Sequence, residues 1–486
     1  MYLYNTLSGK KESIKKSKKP LRLFVCGPTV YDTPHIGNYR TFLPFDSFVR
    51  YMRSQGYSIT YLQNITDIDD KIIIRAQQDK KSWKQIAQIY ERAYHQGEKK
   101  LNIISVSTYA RATKHIPQIV EQIQTLLKKG YAYKIENDGY YFDITKFKDY
   151  GKLSHRNAQM AGDATSRIDE SVQKRNKGDF ALWKLLRTQI NAEKKKIYSV
   201  KVVDGEPAWN TELGWGRPGW HIEDTAITEE YFGPQYDIHG GASELKFPHH
   251  EAEIAQQEAA SGKKPLVKLW MHTGILLVNG QKMSKSLKNF ITLDDFLKQY
   301  DASILRYIIL SHHYRSPIDY TEELVLQSVN ALESIQQFIW KLNLIQTTNS
   351  KQKDQLKIKN IIKNTEKKFH EVLADDFNTP QALATIFSFM TLLESQLASI
   401  TNTNAIKIQS TIIELLDLLG LKLTRQAKIP SIITRLCAKR EKHRTYKQFI
   451  QADALRNEIY KLGYNIEDTP WGAFVRPTNI FVKHKK

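Results

Sequence analysis

The 486-residue chain is longer than one compact core supports, so about two to four domains are expected, and its 41% apolar content is ordinary for a soluble globular protein. It has no run of about eighteen apolar residues and no apolar core of a signal peptide near its N-terminus, so neither a membrane-spanning helix nor secretion is expected and the cytoplasm is the expected address. Cys26 and Cys437 are the only cysteines, excluding a disulfide framework or a four-cysteine zinc site, while 72 Lys and Arg against 51 acids, net +21, suit a polyanionic partner, nucleic acid above all, or reflect lysine-rich usage throughout.

In chain order, Lys10 to Lys19 is a lysine-rich stretch that reads as a solvated turn or hairpin. Leu21 to Val25 is a short apolar run, expected to be a buried strand, and Gly27 and Pro28 break it. A helix is expected to open near His35, in H-I-G-N. Strand, tight turn and helix start together make a phosphate site, because backbone N–H groups and the positive helix end point at the ligand. His35 and Asn38 flank Gly37, which has no side chain to hold a phosphate off, although a His in a first turn equally serves as a cap. Thr41 to Gly56 has a helical apolar face and Tyr57 to Leu62 is strand-like, the first half of a parallel α/β unit. N-I-T-D-I-D-D-K follows, with Asn64, Thr66 and Asp67 just past the strand's carboxyl end, where open α/β sheets place ligands; the same residues also suit a helix cap.

Helices are expected near Ser82 to Leu101 and Ile116 to Lys129, then a hairpin over Tyr131 to Ile144 with Asp138 and Gly139 at its turn. Residues 145 to 200 are polar with few periodic segments and read as an insertion between two halves of a sheet. Trp209 to Glu253 is dense in Gly, His, Trp and acids: G-R-P-G-W-H-I-E-D-T, D-I-H-G-G-A-S-E-L and F-P-H-H-E-A-E. His249 and Glu253 are four apart, so on a helix they share a face and can hold a zinc ion, as they can also make an ordinary surface contact. Leu266 to Val278 is strand-like, and N-G-Q-K-M-S-K-S after it offers Lys282 and Lys285 on a loop, two charges for a polyphosphate or a solvated basic loop. Thr321 to Leu421 is helical throughout and reads as a bundle. Residues 425 to 486 carry fourteen Lys and Arg against five acids, helical near Cys437 to Leu462 and strand-like near Ala473 to Val482.

H-I-G-N near the start of a sheet and K-M-S-K-S far downstream together resemble the two signatures of a class I aminoacyl-tRNA synthetase. N-I-T-D-I-D-D-K, R-P-G-W-H-I-E, D-I-H-G-G and F-P-H-H-E are similar to cysteinyl-tRNA synthetases, and the likeness runs to the P-W-G segment near Trp471. The resemblance implies an α/β fold: a Rossmann-like catalytic domain with an inserted connective domain, then an α-helical bundle and a small mixed anticodon-binding domain. The implied boundaries are 1–115 and 206–290 for the catalytic halves, 116–205 for the insertion, 291–320 for a stem-contact region, 321–424 for the bundle and 425–486 for the basic end.

It further implies cysteine activation by ATP with Mg2+, transfer to tRNA(Cys), and one zinc ion per chain that recognises the substrate's sulfur, in a monomer. By the family's pattern His35, Asn38, Lys282 and Lys285 act on the phosphates, and Gly37, Gly240, Gly241 and Glu244 match positions that bind ATP. Gly27, Thr66 and Trp220 match the amino-acid pocket, and Cys26, Asp224, His249 and Glu253 match the metal ligands. Three positions depart from the family: Asn38 replaces its second His, Glu244 replaces an Asp, and Asp224 replaces the Cys of W-H-I-E-C. A Cys-Asp-His-Glu site is harder than a two-thiolate site but chemically competent, with Asp224 expected either to ligate or to stand just behind the ligands. Two other readings stay open here, a cysteine ligase acting on an amino sugar and a non-catalytic RNA-binding relative.

Overall fold

A computed structural model describes residues 1–156, 171, 173–186, 197–284, 286–347, 358–423 and 428–483. They form two compact units, residues 1–276 with 315–317, and residues 277–314 with 318–486.

The first unit is built on a five-stranded parallel sheet. Its strands are β3 (Leu21–Val25), β4 (Ile59–Ile65), β5 (Thr108–Arg111), β12 (Tyr236–Ala242) and β13 (Val267–Thr273), in the order β13-β12-β3-β4-β5. Strands buried on both faces need continuous apolar runs rather than alternation, which is what Leu23, Phe24 and Val25 supply. The sheet grows in one direction from β3 through β4 and β5, and in the other from β3 to β12 and β13. The β3–β12 junction, with Val25 paired to Gly240, is therefore the topological switch point. An N-terminal hairpin, β1 (Tyr2–Asn5) and β2 (Lys10–Ser13), closes the edge beyond β13: Thr6 N–H donates to the Trp270 carbonyl at 2.9 Å and Trp270 N–H to Asn5 Oδ1 at 3.0 Å.

Helix α1 (Ile36–Ser54) follows β3 and buries most of its length. Its Asp46 carboxylate is fully buried but satisfied, taking the N–H groups of Ile104 and Ser105, the Ser105 hydroxyl and Arg50. Helices α2 (Asp70–Gln78) and α3 (Trp83–Lys100) start on side-chain caps. Asp69 accepts from Lys71 N–H, and Ser82 and Gln85 form a reciprocal capping box. Helix α4 is Ile116–Lys128.

Between β5 and β12 lies a six-stranded antiparallel sheet: β6 (Ala132–Ile135), β7 (Gly139–Phe142), β8 (Phe180–Leu185), β9 (Val200–Val203), β10 (Glu206–Trp209) and β11 (Gly216–Pro218), ordered β6-β7-β8-β11-β10-β9. The expected hairpin forms, but its turn is Glu136 to Asp138, with Asn137 at φ 59° and Gly139, already on β7, paired with Ile135. Strand β8 sits inside the sheet, within a stretch the sequence showed as lacking periodic segments. Phe180 to Trp183 are buried on both faces, so F-A-L-W has no alternation to display. Helices α5 (Ile222–Phe232) and α6 (His249–Ser261) complete the unit, and nearly every residue of α6 is buried, including His249, His250, Glu251, Glu253 and Glu258.

In the second unit Leu277 pairs with Lys282 and Val278 with Gln281 around a turn at Asn279 and Gly280, both with positive φ. Helices Glu322–Thr347, Ile358–Ala374, Thr379–Glu394 and Asn402–Leu418 form the expected bundle. Arg306, buried in the helix Ala302–Leu310, is anchored to it by donating to the Leu419 carbonyl at 3.0 Å. The basic end holds two helices, Ser431–Thr445 and Phe449–Lys461, rather than one, broken where Lys447 takes φ 57°. They pack on the hairpin Tyr464–Thr469 and Gly472–Pro477 through Ile433, Ile459 and Ile466, and Arg440 makes a bidentate pair with Asp468 at 2.7 and 2.8 Å. No helix among the described residues is long and apolar enough to cross a membrane.

Helix α3 and strand β5 are joined by an ionic cluster. His95 Nδ1 lies 2.8 Å from Glu98 Oε2 and its Nε2 3.7 Å from Glu91, while Arg111 on β5 reaches Glu91 at 2.7 Å. Hydrogen bonds to Glu91 and Glu98 outweigh burial and hold His95 up at about 9. A raised folded value favours the protonated form, so this contribution is complete below the ordinary histidine value of 6.5 and disappears as pH rises through about 9. His95→Gln should therefore lower the unfolding midpoint in urea at pH 6 and have a smaller effect at pH 10; an equal loss at both values would show that the cluster acts through packing alone.

Candidate active site and metal centre

The candidate site gathers where β3, β4 and β12 end. Cys26, the first residue past β3, donates its N–H to the Gly240 carbonyl at 3.1 Å. Gly27 follows, and its N–H donates to Asn64 Oδ1 at 2.5 Å. A Cβ on Gly27 would stand 1.8 Å from the Asn64 carbonyl oxygen, so glycine is required for the two strand ends to meet. The side-chain amide of Asn64 donates to Thr66 Oγ1 at 3.3 Å, and the Thr66 hydroxyl in turn donates to Glu223 on α5. Glu223 is fully buried, and burial and then Asp224 push its carboxyl well above the usual range. Gly27, Asn64, Thr66 and Glu223 thus form one chain of hydrogen bonds linking β3, β4 and α5.

His35 caps α1 with extended backbone, φ −106° and ψ 164°. Its N–H donates to Asn38 Oδ1 at 2.9 Å, so the group that Asn38 can offer a ligand is its amide nitrogen. Burial pulls His35 down to about 4 despite Asp32 nearby, leaving a neutral imidazole at pH 7. Gly37 is half-buried in the first turn of the same helix.

The four residues expected to bind metal lie together. Cys26 Sγ is 3.4 Å from Asp224 Oδ2 and 3.7 Å from Glu253 Oε1, and His249 Nε2 is 3.0 Å from each of those carboxylates. Their donor atoms all fall within 4.8 Å of one another, and all four residues are buried. His249 and Glu253 share the buried face of α6 at the expected four-residue spacing. Burial, then Glu253 and Asp224, push the Cys26 thiol up. Burial raises Glu253 to about 7 against the pull of His249, and the two carboxylates hold His249 at about 9 although burial lowers it. The second Asp224 oxygen, Oδ1, is buried without a hydrogen-bond partner. Three acidic groups packed this closely, one with an orphaned oxygen, fit a bound cation.

Trp220 is 39% exposed, with its ring centroid 4.4 Å from that of His249, at the rim of this cluster. Gly240 is closely packed, since a Cβ there would stand 2.3 Å from the Phe45 ring, and one on Gly241 would meet His250 at 2.7 Å. Glu244 lies on the short turn Ser243–Lys246 after β12. Lys282 belongs to the second unit, where Asn289 braces its loop by donating to the Lys282 carbonyl at 3.1 Å and accepting from Ser284 N–H at 2.8 Å. Lys285 lies outside the described residues. The sequence reading did not single out Glu223, His221, His239 or His250. All four sit inside the quoted motifs, but only the folded chain brings D-I-H-G-G and F-P-H-H-E against Cys26.

Residues 12–330 match the family model for the class I (C) tRNA synthetase catalytic domain, and residues 368–424 match the DALR domain. Over 495 residues the chain is 38% identical to a cysteine–tRNA ligase of Methanococcus maripaludis, covering 98% of this chain and 99% of that one. A cysteine–tRNA ligase of Caldicellulosiruptor saccharolyticus is 39% identical over 482 residues, with 98% and 99% covered. A solved structure of methionyl-tRNA synthetase from Mycobacterium tuberculosis with methionyl-adenylate shares the fold: TM-score 0.58 at 13% identity, over 82% of this chain and 89% of that one.

Gly27→Ala should destabilise the chain by at least the ~1–3 kcal/mol typical of overpacking, because backbone rather than a flexible side chain blocks the added methyl. Urea unfolding measures this, and an unchanged midpoint would show that the strand ends can separate.

Proposed function

The chain belongs to the cysteine–tRNA ligase family of class I tRNA synthetases, and on that premise we propose that it joins L-cysteine to the 3′ end of tRNA(Cys) at the cost of ATP. The observation that carries this reading is the buried Cys26–Asp224–His249–Glu253 cluster at the switch point of the sheet, a donor set suited to recognising sulfur. In the first step a carboxylate oxygen of cysteine attacks the α-phosphorus of ATP, the bond to the β-phosphate breaks, and pyrophosphate leaves. In the second a hydroxyl of the terminal adenosine attacks the activated carbonyl, loses its proton, and AMP leaves. Neither step needs a covalent bond to the protein, so the work is positioning and charge neutralisation.

The N-terminus of α1, with neutral His35, Gly37 and the Asn38 amide, is assigned to the phosphates. Lys282 and Lys285 are assigned to the charge of the departing pyrophosphate, with Mg2+ accompanying ATP. Gly240, Gly241 and Glu244 are assigned to the adenosine. The amino-acid pocket takes Gly27, Thr66 and Trp220, with Asn64 and Glu223 fixing the Thr66 hydroxyl.

Cysteine must be told from serine, which a purely apolar pocket does poorly. Zinc held by Cys26, Asp224, His249 and Glu253 would supply a Lewis-acidic contact that favours a thiolate over a hydroxyl. Trp220, at the rim, covers the amino acid. The basic segment 425–486 and the DALR match support tRNA as acceptor over a small amine. A cytoplasmic monomer completes the reading.

Purified protein should catalyse ATP–pyrophosphate exchange with cysteine but not serine, and charge tRNA(Cys). No cysteine-dependent exchange would overturn the reading; exchange without charging would favour a small-amine ligase. Asp224→Cys should bind zinc at least about tenfold more tightly, since a softer donor replaces a carboxylate. Competition against a chromophoric chelator measures this, and unchanged affinity would remove Asp224 from the ligand set.

A further inference from the structure

The four residues assigned to the metal are not the only donors around Cys26. His239 on β12 and His250 on α6 each aim Nε2 at the same sulfur, from 3.4 and 3.3 Å. The opposite nitrogen of each ring is held from behind. His239 Nδ1 is 2.6 Å from the Tyr236 hydroxyl and 3.5 Å from Glu253 Oε2. His250 Nδ1 is 2.8 Å from His272 Nε2, and His272 Nδ1 is 2.9 Å from Thr6 Oγ1 on the N-terminal hairpin. With the proton on Nδ1 of each ring, both relays are satisfied and both Nε2 lone pairs face Cys26. A second nitrogen anchored in this way is the arrangement by which proteins orient metal-binding histidines.

Resting on the metal reading above, we propose that Cys26, His239, His250 and Glu253 form a second metal seat. It takes a borderline divalent cation, zinc or cobalt(II), and overlaps the first seat so that one ion occupies either at a time. The four donor atoms lie within 4.8 Å of one another and all four residues are buried. Two imidazoles, a thiolate and a carboxylate make a tetrahedral set for such an ion. The two seats share Cys26 and Glu253 and differ in their other ligands. In the first, His249 lies beside Trp220, which is 39% exposed. In the second, His239 stacks on buried Trp270 with ring centroids 4.2 Å apart, and His250 lies tilted against the same ring at 5.2 Å. An ion in the second seat therefore sits on the sealed side, away from the amino-acid pocket. Asp224 in place of a thiolate weakens the first seat's hold on a borderline ion, which narrows the difference between the two seats.

Full-length protein is stripped by dialysis and titrated with Co2+, read by metal analysis and by the visible absorption of the cobalt and its thiolate charge-transfer band. The wild type should bind one ion per chain. The near-isosteric double variant Asp224→Asn with His249→Gln should still bind one, with the thiolate band intact. Adding Tyr236→Phe to it should weaken binding by about 10–100-fold, and adding His239→Gln and His250→Gln instead should abolish it. A double variant with a wild-type circular dichroism spectrum that binds no ion would overturn the second seat and leave the first standing. Two ions per wild-type chain would overturn mutual exclusion, and none would overturn both seats together. Should the double variant not fold, Tyr236→Phe in the otherwise intact chain decides: a changed cobalt spectrum supports the second seat, and an unchanged one overturns it.

Discussion

The structure around the site depends on one electrostatic constraint. Cys26, Asp224 and Glu253 are three buried acid-bearing side chains whose donor atoms lie within 4.8 Å of one another. Without a counter-charge, burial and mutual repulsion drive Cys26 and Glu253 toward their neutral forms, and His249, held at about 9, opposes this at Glu253. One imidazolium against three potential anions leaves Asp224 Oδ1 unsatisfied. A cation at the centre answers all of these demands at once, because it stabilises every deprotonated donor together.

The scaffold exists to hold that cluster still. Cys26 is fixed by its bond to Gly240 across the switch point, and Gly27 lets β3 approach β4 closely enough for Asn64 to take its N–H. From Asn64 the bonding runs through Thr66 to Glu223, which neighbours Asp224 on the first turn of α5. A displacement of either strand end would reach the metal ligands and the Thr66 hydroxyl alike. Asp224 sits on the first turn of α5 with its carboxylate 3.4 Å from Cys26 Sγ and 3.0 Å from His249 Nε2, so its place in the cluster is set by the same strand and helix ends.

In the second unit Asn289 ties down the described start of the K-M-S-K-S segment, donating to the Lys282 carbonyl and accepting from Ser284 N–H. The bundle and the basic end are held by few, strong polar anchors, Arg306 to the Leu419 carbonyl and Arg440 to Asp468. Most Lys and Arg side chains of residues 428–483 are exposed.

Local chemistry in the sequence determined much of this. The helix starting near Ser82, the hairpin over Tyr131 to Ile144, the apolar run at β3 and the His249–Glu253 spacing each encode their structure within a few residues, and each reads correctly because its partners are neighbours in the chain. Strand β8 and the break at Lys447 were not legible, since one is defined by burial on both faces and the other by packing against a distant hairpin. The second ring of donors, His239, His250, Tyr236 and His272, was equally hidden. Each is an ordinary residue of its own strand or helix until β3, β12, β13 and α6 are brought side by side, and more than two hundred residues separate Cys26 from the histidines that face it. The sequence alone supplied the reactive groups and their local geometry. Which of them share one buried volume, and so must share one charge, was decided by the order of strands in the sheet.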